Sequence, residues 1–471
     1  MDVKRVRKTL LMGFASARVA ALAFCTLLIA STGSVEPASR EHMQIWLAIS
    51  DIHLDPFDRV SRASPSGSDT NLALFRSALA QMKRAAPDPS VVLLPGDFFE
   101  HHFAARVRES DAVDRPDQAG DRTMQEIAAA FGRTFPRAEF AIALGNNDAP
   151  CGDYRSADGS GYLARVARIW TPLVDRHNAA PHFAASFARD GYYAIDSPDR
   201  GVRLVVLNTL LFSQQYRGNC GGSEGGALEQ LKWLRATLRD SPAGTRNVIM
   251  MHIPPGFDPF STQFVHGFLA WPFLKPRYNE ALLNALSANS DRVAYAVAGH
   301  AHRFDFRLAG NVPIVVLGSL SPIFRNNPAF YILHVSSDGS LRDIDAHVFS
   351  EPLQRWLPKR SFDATWGITT IDGASLTQIH TRLGLDPAMR RAWGAQANGW
   401  PPTNAVSDGA WGTRWWRVQW CAQSSLTAHY AECADIQGRI RILVVLTASV
   451  IATAIAILVL FAVRRKTRAP G

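Results

Sequence analysis

The sequence predicts an α/β sandwich, and three observations predict it. Between residues 45 and 349, short runs rich in Val, Ile and Leu alternate with longer stretches of helical spacing, as strands and helices do in turn. Most of these runs are apolar without interruption, which marks strands buried on both faces. Glycine and proline punctuate the strand ends, as in Pro95-Gly96, Leu144-Gly145 and Ala298-Gly299.

Taken in chain order, residues 1–34 come first. A basic stretch holding Lys4, Arg5, Arg7 and Lys8 precedes an uncharged run of 12 residues, 19–30, and then Ser31, Thr32, Gly33 and Ser34. That is the layout of a signal peptide, with a retained signal anchor as the alternative. Strands are expected at 45–50, 91–95, 140–144, 204–208, 248–252, 293–298, 314–317 and 331–335, and helices at 71–86 and 224–239. Residues 105–125, polar and acid-rich, read as a surface loop. These elements form one body over residues 42–350.

From 351 to 437 strand runs vanish and tryptophan becomes frequent: Trp356, Trp366, Trp393, Trp400, Trp411, Trp415, Trp416 and Trp420. A small helical subdomain packed on the body is expected, its indoles in the core rather than on a ligand- or lipid-facing surface. Residues 442–463 then run for 22 positions without a charge. At about 1.5 Å per residue such a helix crosses a hydrocarbon layer of roughly 30 Å. A transmembrane helix is therefore expected in preference to a buried core helix. Arg464, Arg465 and Lys466 behind it read as a stop-transfer signal, leaving 464–471 as a cytoplasmic tail and the body on the periplasmic or extracytoplasmic side.

The formal charge of +9 needs to be located before it is interpreted. Residues 1–20 carry a net +4 and residues 439–471 a net +6, which leaves −1 for everything between. Basic ends flanking apolar runs on a nearly neutral body form a membrane-orientation pattern, and nucleic-acid binding is not expected. Of five cysteines, Cys25 lies in the signal segment; Cys151, Cys220, Cys421 and Cys433 remain in the exported body. Four cysteines allow three pairings, and the favoured one joins Cys421 to Cys433 as a local clamp and Cys151 to Cys220 as a loop staple.

Five short motifs stand at strand ends: Asp51-Ile52-His53, Gly96-Asp97, Gly145-Asn146-Asn147-Asp148, Met251-His252-Ile253-Pro254-Pro255 and Gly299-His300-Ala301-His302. Each alone is weak, since a Gly-Asp is commonly a turn and a strand-end histidine commonly a satisfied polar group. Together they place carboxylates, an amide and four imidazoles where α/β sheets bind ligands. Mixed carboxylate and imidazole donors suit zinc, manganese or iron. Seven side chains can give eight contacts to two divalent ions if one carboxylate bridges. His300 and His302, two residues apart, share a face in extended backbone.

With these motifs the chain resembles the calcineurin-like metallophosphoesterases. More narrowly it is similar to the branch holding acid sphingomyelinase, its phosphodiesterase relatives and the endopolyphosphatases. The narrower likeness rests on Gly96-Asp97-Phe98-Phe99-Glu100-His101, His252-Ile253-Pro254-Pro255-Gly256, Gln230-Leu231-Lys232-Trp233-Leu234 and Ser319-Leu320-Ser321-Pro322 followed by Asn327-Pro328-Ala329-Phe330. It covers residues 45–350 well and reaches more loosely to the C-terminal helices and the Cys421/Cys433 pair.

The resemblance implies an αββα sandwich as catalytic domain, with Asp51, His53 and His302 on one metal, Asn146, His252 and His300 on the second, and Asp97 bridging. It implies hydrolysis of phosphodiesters by a metal-bridging hydroxide, on a phospholipid head group, a nucleotide or polyphosphate. The wider superfamily places a histidine after the metal-binding asparagine; here that position is Asn147, and an amide cannot supply the leaving group's proton. The resemblance makes His101 the substitute acid, with His102 the weaker choice. Two other readings stay open: a polyphosphatase or phosphomonoesterase on the same site, and a degenerate domain used as a binding module, with Asn147 as its first sign of decay.

Overall fold

The computed structural model describes residues 43–466 except 111–114, 158–160, 179–181, 200, 221–225, 267–268, 400–410, 412 and 414. The expected signal segment, Cys25 within it, Trp400 and residues 467–471 lie outside the described residues.

Two sheets form the sandwich. The first has the order β12-β11-β10-β1-β2-β3, with β13 also on β11. Here β1 is Gln44–Ala48, β2 Val91–Leu94, β3 Glu139–Ile142, β10 Ala329–Val335, β11 Leu341–Ser350, β12 Arg355–Trp356 and β13 Arg360–Ser361. Its β1, β2 and β3 run parallel, while β10 pairs antiparallel with β1 and β11 antiparallel with β10. The second sheet has the order β4-β5-β6-β7-β9-β8. Its strands are β4 Tyr193–Asp196, β5 Val202–Val206, β6 Arg246–Met250, β7 Val293–Ala298, β8 Asp305–Ala309 and β9 Val312–Val316.

All eight expected strands are present. The strand side-chain period of two explains why their sequences read as continuous apolar runs. Leu204, Val206, Val248, Met250, Tyr295 and Val297 join the core shared with the first sheet. The residues between them, Val205, Ile249, Ala296 and Ala298, instead meet Leu231, Leu234, Leu282 and Leu286 on the outer helices. Those helices are α6 (Ala227–Arg239) and α7 (Pro276–Ser287). Each buried Val, Leu, Ile or Met side chain among them contributes about 1.5–3 kcal/mol. The sheets are also stitched at their edges, where the Tyr193 hydroxyl accepts from Ile142 N (2.8 Å) and donates to Ile142 O (3.0 Å).

On the first sheet lie α1 (Leu72–Ala85), α2 (Phe103–Glu109) and α3 (Pro116–Thr134), followed by α4 (Tyr162–Trp170) and α5 (Phe183–Asp190). Helices α2 and α3 correct the expectation of a surface loop at 105–125. Pro116 opens α3, and Ala119, Thr123, Met124 and Ile127 bury one face at helical spacing. Asp117, Gln118, Asp121, Arg122 and Gln125 form its outer face.

Residues past 350 are not purely helical, because β12 and β13 carry the first sheet on to Ser361. Then come α8 (Phe362–Trp366), α9 (Gly373–Leu385), α10 (Pro387–Ala397), α11 (Trp416–Ser424), α12 (Tyr430–Cys433) and α13 (Ile436–Lys466). Trp366, Trp393 and Trp411 are buried in the main core, so those indoles are core residues as expected. Both favoured disulfides are present, Cys151–Cys220 and Cys421–Cys433, with Cα–Cα distances of 5.9 and 5.8 Å. Among the described residues, no helix is long and apolar enough to cross a membrane. The span expected at 442–463 is thus not reproduced; within α13 the side chains of residues 444–460 are exposed.

Candidate metal centre

Every expected ligand lies just beyond a strand, and the two sheets bring the five motifs to one place. Strands β2 and β3 end so close together that a side chain cannot fit between them. A Cβ on Gly96, whose φ is +113°, would sit 2.6 Å from Gly145 N, and one on Gly145 would strike the Asp97 carboxylate. Asp51, His53, Asp97, His300 and His302 all have positive φ, from 43° to 72°. A left-handed backbone costs about 1–3 kcal/mol at each non-glycine residue, so surrounding contacts must hold these loops.

One carboxylate dictates much of that hold. Asp148, buried, accepts from Gly145 N (2.7 Å), Asp97 N (2.9 Å), Phe98 N (2.6 Å) and Phe99 N (3.3 Å), tying the β2 and β3 loops together. Burial and then the neighbouring Asp97 carboxylate push its pKa up to about 6. Asp97 in turn accepts from the Asn147 backbone at Oδ1 (2.8 Å) and from the Asn147 side chain at Oδ2 (3.0 Å). Asn147 therefore orients Asp97, a task an amide performs and a proton donor need not.

The ring nitrogens are oriented in the same way. His53 donates Nδ1–H to Phe99 O (2.8 Å) and His252 donates Nδ1–H to Pro95 O (3.2 Å), which turns both Nε2 lone pairs inward. Asp97 Oδ2 lies 3.3 Å from each of those Nε2 atoms. On one side His302 Nε2 is 3.1 Å from His53 Nε2 and 3.4 Å from Asp51 Oδ1. On the other, Asn146 Oδ1 and His300 Nδ1 lie 3.1 and 3.3 Å from His252 Nε2. Lone pairs facing one another across 3 Å in a buried place repel, unless cations stand between them. This donor set fits a pair of divalent ions, and His53, Asp51 and Asp97, with Asp97, His252 and His300, form two groups of metal-holding geometry.

The electrostatics carry the same message. Burial would lower the His53 and His252 pKa values, yet the Asp97 carboxylate raises them to about 10 and about 9. Asp97 is held well below the usual carboxylate range, its burial outweighed by His252 and His53. His300, pressed by burial and then by His252, falls to about 3. Such a crowd of buried acids and bases needs strong internal compensation.

His101 sits at the rim with a partner that the sequence did not reveal. Its Nδ1 meets Asp69 Oδ1 at 2.9 Å, its backbone N donates to Asp69 Oδ2 (2.8 Å), and its ring stacks on His53 with centroids 4.1 Å apart. Ser321, from the Ser-Leu-Ser-Pro segment, donates its hydroxyl to Asp69 Oδ1 (2.9 Å). Asp69 is placed by the α1 N-cap: Asn71 accepts from Leu74 N (3.0 Å), while Thr70 pairs with His53 (3.0 Å). Although burial opposes it, the hydrogen bond from His101 lowers the Asp69 pKa. His102 is exposed and takes the left-handed N-cap of α2 instead. Asp153, donated to by Asn146 Nδ2 (2.8 Å), and Tyr154, 3.4 Å from His300 Nε2, were likewise not singled out. Only proximity to the Asn146 motif could have pointed to those two, and nothing local points to Asp69.

Comparison with known proteins adds a family. The model of the calcineurin-like phosphoesterases matches residues 46–304. Sphingomyelinase phosphodiesterase D of Dictyostelium discoideum is 25% identical over 293 residues, 60% of this chain and 60% of that protein. Human cyclic GMP-AMP phosphodiesterase SMPDL3A is 25% identical over 285 residues, 55% of this chain and 57% of that one. The chain thus spans under two thirds of the length of these curated relatives.

Proposed function

The chain belongs to the calcineurin-like phosphoesterases, and from that premise we propose that it is a binuclear-metal phosphodiesterase of the sphingomyelinase-like kind. The observation that carries this reading is Asp97 Oδ2, one oxygen 3.3 Å from the inward nitrogens of both His53 and His252. That position supports a bridging role for Asp97. Asp51, His53 and His302 would hold one ion, and Asn146, His252 and His300 the other. Zinc suits the donor set best, with manganese and iron as alternatives.

When bound, the pair of ions supplies an activated water nucleophile and positive charge for the phosphoryl oxygens. The rest is the work of side chains. Asn147 and Asp148 keep Asp97 and its loop in place for attack in line with the leaving group. His101, its Nδ1 tied by Asp69, presents its other nitrogen to protonate the departing oxygen, a step worth typically 10²–10⁴-fold. Its ring nitrogen lies within 4.8 Å of those of His53 and His302, at the edge of the ion pair.

The names of the relatives support a phospholipid head group or a nucleotide phosphodiester as substrate class. A second reading, polyphosphate, is favoured by Asn147, since a phosphate leaving group needs little protonation. Membrane anchoring on the extracytoplasmic side is part of the proposal. It is supported by two disulfides, by the uncharged run 442–463, and by exposed Val444, Leu446, Val450, Ile451, Leu458 and Leu460 along α13. The test is a substrate panel of sphingomyelin, a nucleotide phosphodiester, polyphosphate and p-nitrophenyl phosphates, with metals varied. Turnover of the diesters is expected; polyphosphate alone would select the second reading, and no turnover with an empty site would leave a binding module.

A further inference from the structure

We propose a second cation site on the outer face of the first sheet, in which His334, Asp343 and Asp345 take one divalent ion of the zinc class. The site stands apart from the catalytic cluster. Its strands meet β1 at Ile45, opposite His334, whereas the catalytic motifs follow the other end of β1.

The strand register builds it. In the antiparallel pair β10–β11, His334 stands opposite Asp343, Ile332 opposite Asp345 and Phe330 opposite His347. Side chains two apart share a face, so Asp343, Asp345 and His347 point the same way as His334. His334 Nε2 lies 2.9 Å from Asp345 Oδ2, and single ligand atoms of His334, Asp343 and Asp345 all fall within 4.8 Å of one another. Ser361 Oγ (2.6 Å) and Asp363 N (2.8 Å) donate to Asp343 and fix its carboxylate, leaving lone pairs to spare.

His347, opposite Phe330 and two residues beyond Asp345, lines the cavity beside the cluster. It is 5% exposed, stacks flat on Phe330 at 4.7 Å, and has no hydrogen-bond partner on either nitrogen among the described residues. An orphaned buried group of this kind costs about 1–3 kcal/mol. It faces a cavity of about 460 Å³ that His334, Asp345 and Lys359 also line. The place already selects a cation: the Lys359 ammonium lies 2.6 Å from Asp345 Oδ2. With its side chain 59% exposed, Lys359 can swing into solvent and leave that carboxylate to an ion. Imidazole and carboxylate donors together favour zinc, manganese or iron over calcium. The ion would brace β10 and β11 against the 359–363 segment that leads to the C-terminal helices.

The test uses the purified full chain, stripped by chelator, reloaded with zinc and freed of excess metal. Elemental analysis of the His334→Ala/His347→Ala variant is expected to give one ion per chain fewer than the parent, with turnover of p-nitrophenyl phosphodiester within twofold. Equal metal content in the two proteins overturns the site. Because the catalytic ligands are untouched, the difference reads this site alone, whatever the fate of the proposed binuclear centre. Lys359→Met removes the competing ammonium from an exposed position and should tighten the weakest-bound zinc at least tenfold in a chelator competition titration. Unchanged affinity overturns the proposal even if the double variant does not fold.

Discussion

At one end of the sandwich Asp51, His53, Asp97, Asn146, His252, His300 and His302 arrive from five loops across two sheets, most of them with left-handed backbone. At the other end of β1, His334, Asp343, Asp345 and His347 arrive from two hydrogen-bonded strands in ordinary extended conformation. A regular ladder spaces same-face groups evenly and aims them in parallel, so it can make a shallow site with a replaceable cation such as Lys359. Aiming many groups at one point and leaving it open to substrate requires bends, and the bends are maintained by Asp148, Asn147 and carbonyl partners. The comparison teaches that backbone strain and a filled shell of orienting partners distinguish the candidate metal centre from a cluster built on regular strands.

The sharpest test of that contrast is Asp97→Ala, which removes the bridge. It should lose both catalytic ions and reduce turnover by about 10⁴-fold or more, given what binuclear sites contribute. Elemental analysis and diesterase assay check it, and substantial turnover by metal-free protein would sink the assignment. His101→Ala should slow alkyl phosphodiesters by about 10²–10⁴-fold and p-nitrophenyl esters far less, because the latter need little protonation. Equal losses on both would remove His101 as the acid.

Asp148→Ala leaves four buried N–H groups without their acceptor. A loss of about 2–4 kcal/mol in unfolding free energy is expected from calorimetry or denaturant titration, together with about 10–100-fold weaker metal binding. Asn147→Ala should weaken metal binding by about tenfold in a chelator titration, at the low end for an orienting partner, while circular dichroism shows the fold intact. The smallest effect belongs to the other cluster. His347→Phe should keep turnover within twofold and raise stability by about 1 kcal/mol, since the ring still stacks on Phe330 while two unpartnered polar atoms are removed. A large loss of turnover there would show the two clusters to be coupled.

Much of this was legible in one dimension. Eight strands announced themselves because each is buried on both faces, and burial leaves a local record of apolar residues. The strands that went unread, β4, β8, β11, β12 and β13, hold polar residues such as Asp196, Arg307, Asp343, Asp345, Arg355 and Arg360. Residues 105–125 misled for a related reason: the exposed face of α3 looks like loop composition when its buried face is ignored. All seven ligand candidates were readable because each stands directly behind such a strand, where sheet proteins place chemistry.

Local pattern reports which residues are buried, since burial and period act on near neighbours. Which distant residues meet depends instead on strand order and register, and these are properties of the packed whole. Asp69 reaches His101 because a helix cap pairs with the β1 loop; Asp148 clamps two loops because β2 and β3 are adjacent; His334 faces Asp343 because β10 and β11 pair in one register and no other. No composition or spacing in the chain encodes those meetings, because each is selected by the free energy of the complete sandwich.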